Sequence, residues 1–142
     1  MTGSLNRYAQ LVGRILLSLI FILSGFSKIG QWSAIAAAMT SKGIPLVSIT
    51  LPLTVLIELG GGLALLFGYR ARPAAALLAL WLVPVTLTFH NFWAFHGPDQ
   101  QAQMGNFLKN LAIIGGLLRL VSDGAGAISL DARRLRASAG AR

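Results

Sequence analysis

Residues 51–68 read LPLTVLIELGGGLALLFG. A bilayer's hydrocarbon core is about 30 Å thick, or roughly 20 helical residues, so this run is long enough to cross it. Yet Glu58 sits near its middle, where a charged side chain costs about 2.5–3.5 kcal/mol on insertion scales. Glu58 precedes Gly68 by ten residues, roughly 15 Å of helical rise, so the carboxylate cannot easily reach water. It is expected to face other helices and either to hold a proton or to meet a cation. Thr54, Gly61 and Gly62 share its face at helical spacing. Small residues there let a neighbouring helix come close.

The rest of the chain is of the same kind. Of 142 residues 55% are hydrophobic and 11% charged, and the mean hydropathy is +0.70. A soluble domain carries roughly 25% charged residues. The reading is an all-α integral membrane protein of one domain, a four-helix antiparallel transmembrane bundle. The absence of cysteine excludes disulfides, thiol redox chemistry, thiolate metal sites and covalent haem. The net charge of +8 would suggest nucleic acid in a soluble protein. Here the basic residues lie mostly outside the apolar blocks, so topology and anionic lipid account for them and no nucleic-acid partner is expected.

Four blocks can span: 11–27, 45–67, 73–95 and 106–121, followed by a basic tail at 122–142. The fourth is short, which predicts bilayer thinning or burial of its polar ends. Cleavage of the first block as a signal peptide is disfavoured, because its apolar run is long, it carries Arg14, and the Ala-x-Ala pattern at 36–38 lies about ten residues beyond it. Gly68 suits a helix end and Pro73 a first turn, so helices two and three form a tight hairpin. Pro84 predicts a kink one turn after Leu80. Between helices one and two, Trp32, Ile35, Ala36 and Met39 make one apolar stripe, which Gly43 and Pro45 terminate. This predicts a short interfacial helix on the membrane surface; the alternative is a loop packed over the bundle mouth. In the tail, Ser129 can cap a helix and Asp131 suits its first turn. The tail arginines either bind anionic lipid or are merely solvated.

Four spans put both termini on one side. That side holds Arg7, Arg70, Arg72, Arg133, Arg134, Arg136 and Arg142, and the other holds Lys28, Lys42 and Lys109. The positive-inside rule then makes both termini cytoplasmic.

Each span carries a polar stripe. Helix one offers Arg14, Ser18, Gly25 and Lys28; helix three Thr86 and His90; helix four Asn106, Lys109, Asn110, Gly116 and Arg119. Turned inward, they make a polar interior with Arg14 and Arg119 near the cytoplasmic end. Glu58 lies at the centre, and Lys28, His90, Lys109 and Asn110 toward the outer mouth. Glu58, Arg14, Lys28, His90, Lys109 and Asn110 are the ligand-binding or proton-relay candidates. Against this stand structural readings: an Arg14–Glu58 pair that only holds helices one and two, terminal lysines that snorkel to the interface, and an ordinary interfacial His90. Trp81, Phe89, Phe92 and Trp93 read as lipid-facing or belt residues. His90 and His96 are six apart, on different helix faces, and no third histidine exists, so no metal or haem site is expected. No nucleotide loop or serine–histidine–acid arrangement is present.

The pattern RILLSLIFILSGFSKI from Arg14, GIP at 43–45, ELGGGLALLFGYRARPAA from Glu58, NFLKN at 106–110 and DGAGAISLDARR at 123–134 resembles the DoxX family of small bacterial inner-membrane proteins, particularly its YphA-like branch. The resemblance covers about residues 10–134. It implies a four-helix membrane protein of the bacterial inner membrane. Arg14, Lys28, Glu58, Lys109 and Asn110 fall on the family's recurrent polar positions, and Asp131 in its tail motif. Some members are linked to membrane redox or oxidative-stress complexes, the name deriving from a quinone-linked oxidoreductase. No cofactor-ligand pattern transfers, so an oxidoreductase role rests on analogy alone. The function this implies is an accessory or ligand-binding subunit of a membrane redox or stress-response system, taking a quinone or another small polar ligand beside a partner redox protein. The alternatives are a small-solute binding or transport module, which would have to form a homo-oligomer to build an alternating-access path, and a purely structural subunit.

Overall fold

A computed structural model describes residues 2–140, so Arg142 of the basic tail lies outside the described residues. Its helices are α1 (Thr2–Gly30), α2 (Trp32–Ser41), α3 (Val47–Phe67), α4 (Ala71–Phe89), a 3-10 turn (Phe92–Ala94), α5 (Gly97–Asp123) and α6 (Leu130–Gly140). Among the described residues, four helices are long and apolar enough to cross a membrane: α1, α3, α4 with its 3-10 extension, and α5. α1 packs along α3, α3 against α4, α4 against α5, and α5 returns to α1. The result is a closed antiparallel ring. The terminal end carries the start of α1, the α3–α4 turn and α6. The distal end carries α2 and the 3-10 turn. Leu16, Leu23, Leu56, Leu80 and Leu118 point outward, where acyl chains rather than water would meet them.

The α3–α4 turn forms as its sequence directs. Gly68 adopts φ 63°; its N–H donates to Leu65 O and that of Tyr69 to Ala64 O, a Schellman-type stop. A Cβ there would also lie 2.5 Å from Ser129 Cβ. Pro73 is the third residue of α4, where no intrahelical bond is lost. The freed N–H groups of Arg70 and Ala71 donate instead to the Asp131 carboxylate at 2.8 and 2.9 Å. Ser129 Oγ accepts the Ala132 N–H at 3.1 Å, capping α6 as expected. Asp131, in the first turn of its own helix, also caps another.

Several boundaries differ from the sequence reading. α1 is longer than 11–27. α4 stops at Phe89, not Phe95, with His90 as its cap. α5 begins at Gly97 rather than Asn106 and has 27 residues. Pro98 and Asp99 favour that start, and the helix is about 40 Å long. The added turns, residues 97–105, are mostly polar, so they lengthen the helix without lengthening its apolar stretch. Its polar first turns hid the helix, because they carry no apolar period. α4 continues through Pro84.

α2 forms, and its stripe turns onto the bundle. Met39 is buried with Leu51 and Val55 of α3, with Ile35 and Ala36 packed beside them, while Trp32 stays exposed. The segment is the helix of the first alternative rather than the loop of the second, and it packs over the distal end of the bundle.

Candidate functional site

Helix direction decides how the buried charges meet. Side chains on an α-helix lean toward its N-terminus. α1 starts at the terminal end, so both Arg14 and Lys28 lean that way. For Lys28, near the distal end, this means toward the membrane centre. Glu58 on the antiparallel α3 leans distally, toward it. The close approaches fix the register: a Cβ on Gly25 would lie 2.6 Å from Leu59, and one on Gly62 2.8 Å from Ile22. Lys28 then sits within a turn of Glu58. Its Nζ donates to Glu58 Oε2 at 2.9 Å and to Ser24 Oγ at 2.7 Å. The side chains are 21% and 8% exposed. Lys28 does not snorkel outward.

Arg14 is not Glu58's partner. It leans away, and its guanidinium donates to the carbonyls of Ala125 and Ile128 in the α5–α6 link. Its Nη1 lies beside Gly68, ten residues from Glu58, so the separation of about 15 Å along α3 rules the pair out.

Against the Lys28–Glu58 pair lies a cavity of about 440 Å³, within the usual range for small-molecule sites. α2 and its following loop contribute Ile35, Met39 and Ile44; α3 contributes Thr50, Thr54 and Glu58; α4 contributes Trp81, Pro84, Val85, Thr88 and Phe89, and His90 follows. The lining is chiefly apolar, with polar groups concentrated at Lys28, Glu58, Trp81 and His90.

Trp81, expected to face lipid or sit in the interfacial belt, turns inward instead. Gly61 of α3 faces Leu78 of α4 so closely that a Cβ on the glycine would lie 2.8 Å from the leucine side chain. Three residues back on α3 and three on along α4 are Glu58 and Trp81, so antiparallel pairing puts them at one depth. The Trp81 Nε1 is buried and has no hydrogen-bond partner among the described residues. A buried donor in that state is uncommon and marks a position where a ligand acceptor would be welcome. Phe89 also lines the cavity. Sequence offered no signal for either beyond their period on α4.

His90 joins the site from the end of α4. Its Nδ1 and Gln103 Oε1 are 2.9 Å apart, which ties the ring to α5; nothing in the sequence around Gln103 points to that role. The remaining candidates lie elsewhere. Lys109 is exposed and bonds Asn106 Oδ1 at 3.0 Å, a turn-to-turn contact on one helix. It is not at the mouth of this cavity. Asn110 is buried between α4 and α5, where its Nδ2 donates to Thr86 Oγ1 at 3.0 Å and Thr86 donates on to Leu82 O. Arg119 pairs with Asp123 on the surface. Among the described residues no three His, Asp or Glu side chains converge as metal ligands.

Such an arrangement can bind a mostly apolar molecule carrying hydrogen-bond acceptors, with a fixed ion pair at its polar end. Similarity to known proteins bears on the family. The DoxX profile matches residues 9–91. Inner membrane protein YqjF of Escherichia coli K12 is 38% identical over 121 residues, which cover 85% of this chain and 88% of that protein. Inner membrane protein YphA of the same organism is 33% identical over 131 residues, 92% and 94% of the two chains. ER-derived vesicles protein ERV29 of Saccharomyces cerevisiae is 30% identical over 127 residues, but the match spans only 34% of that longer protein. No solved structure matches significantly. With the profile covering more than half of its length and two inner-membrane relatives aligned almost end to end, this chain belongs to the DoxX family of multi-pass inner-membrane proteins.

Proposed function

We propose that the protein is a ligand-binding accessory subunit of a membrane redox or stress-response system, and that the distal cavity takes a quinone head. The supporting observation is the Trp81 Nε1, unpartnered among the described residues, in the same chiefly apolar cavity as the Lys28–Glu58 pair. A quinone presents two carbonyl acceptors on a flat apolar ring. The Trp81 N–H and Lys28 ammonium can each donate to such an oxygen, while Met39, Val85 and Phe89 provide apolar contact. Glu58 would hold Lys28 in position and, when a partner redox protein supplies electrons to the head, relay a proton to the reduced oxygen.

Protein purified in mild detergent should carry quinone at near-stoichiometric level. In a Trp32→Phe/Trp93→Phe background, a short-chain quinone should quench Trp81 fluorescence saturably. Removing one neutral hydrogen bond is worth about 0.5–1.5 kcal/mol, so Trp81→Phe, followed by calorimetry, should weaken binding roughly two- to tenfold. Absence of both copurified quinone and quenching in folded protein would overturn the reading. Glu58-dependent uptake of a polar solute by proteoliposomes would replace it with a transport function.

The same proposal has both termini cytoplasmic. Arg70, Arg72, Arg133, Arg134 and Arg136 cluster at the terminal end, against Lys42 beyond the distal helix ends, the bias expected of a cytoplasmic face.

A further inference from the structure

At the terminal end a second feature stands apart from the distal cavity. Arg7 and Arg14 of α1 and Arg133 and Arg136 of α6 line one groove of about 470 Å³, together with Leu11, Leu66 and Phe67. Among the described residues no Asp or Glu lines it. The ion pairs among the described residues, Lys28–Glu58 and Arg119–Asp123, use none of these arginines. Asp131, close by on α6, gives its two carboxylate oxygens to the Arg70 and Ala71 N–H groups.

Arg14 makes the imbalance acute. It is 3% exposed. Its terminal nitrogens donate to two backbone carbonyls, and its Nε is buried without a partner among the described residues. Carbonyls satisfy hydrogen bonds but carry no net charge. The carboxylate that acts on Arg14, that of Asp131, is shared with the Arg70 and Ala71 N–H groups and makes no direct contact with the guanidinium, so the desolvated cation is only partly compensated. Arg7 precedes Arg14 by two helical turns, about 10 Å along the axis. The groove thus descends from headgroup depth toward the acyl region, and its apolar residues lie along that path.

We propose that this groove binds the phosphate of an anionic phospholipid. Arg7, Arg133 and Arg136 present guanidinium forks that match phosphate oxygens. The Arg14 charge lies beneath them, and the lipid chains run along Leu11, Leu66 and Phe67. Free phosphate would meet the same charge but would leave the apolar part unfilled. The bound lipid pins α6 against α1 and the end of α3.

The test is binding of fluorescent phosphatidylglycerol to the detergent-purified full chain, with phosphatidylcholine, glycerol phosphate and inorganic phosphate as competitors. Phosphatidylglycerol should bind saturably and resist all three. The triple substitution Arg7→Gln/Arg133→Gln/Arg136→Gln should weaken it by about fivefold per arginine. Arg70→Gln/Arg72→Gln/Arg134→Gln removes equal charge outside the groove and should weaken it far less. Lysine at positions 7, 133 and 136 should restore part of the affinity, which separates lost recognition from lost folding. Equal damage by the two triples would reveal a diffuse basic surface and overturn the site. Equal competition by phosphatidylcholine, or by either soluble phosphate at lipid concentrations, would overturn the lipid assignment.

Discussion

Lys28 and Arg14 lie on one face of one helix, yet only Lys28 reaches Glu58. The lean of helical side chains toward the N-terminus sends Lys28 into the bundle and Arg14 toward the α5–α6 link. This predicts two different double-mutant cycles, read from unfolding in detergent. Lys28→Met and Glu58→Gln should be coupled by at least about 1 kcal/mol, as contacting charged residues are. Arg14→Ala and Glu58→Gln should instead add to within about 0.5 kcal/mol. Coupling in the second cycle would mean that α1 and α3 are paired in a different register. Lys28→Met alone leaves Glu58 without its cation and should cost somewhat less than the about 3–5 kcal/mol of a fully buried pair, since Lys28 keeps partial exposure.

At the scale of elements, the α3–α4 hairpin is held from outside itself. Its stop needs glycine twice over, for the positive φ of Gly68 and for the space that Ser129 fills. Gly68→Ala should therefore destabilise by about 2–4 kcal/mol, combining the left-handed penalty with overpacking. Asp131→Ala removes the acceptor for two backbone N–H groups and should lower stability by about 1–2 kcal/mol, the scale of a lost cap. Thermal unfolding with Asp131→Asn alongside will separate the carboxylate's charge from its hydrogen-bonding shape. α1–α3 packing is equally specific. Gly62→Val places new atoms where Ile22 sits and should cost about 1–3 kcal/mol. By pushing α1 away it should also weaken ligand binding at the Lys28–Glu58 pair, a combined loss that quinone titration of the folded variant can detect.

Across the whole molecule, a phosphatase or fluorescent reporter fused after Arg142 should report a cytoplasmic C-terminus; an outward-facing reporter would invert the assignment of the arginine-rich end. Sequence by itself determined the four spans, their antiparallel order, α2, the Gly68 stop and the Ser129 cap. These follow from local quantities: apolar length, period, and residues with restricted backbone or capping chemistry. It also marked Glu58 as inward-facing, because a central carboxylate has nowhere else to go. It did not give Glu58's partner, since spacing along α1 says which residues share a face but not their depth against α3. The close contacts at Gly25 and Gly62 set that depth, and with it the pairing to Lys28. The same limit hid Trp81, whose place beside Glu58 comes from the contact of Gly61 with Leu78, and it grouped Lys109 and Asn110 with a cavity they do not line. Register and rotation arise between helices, from packing, so only the tertiary structure could decide which buried polar groups share a site.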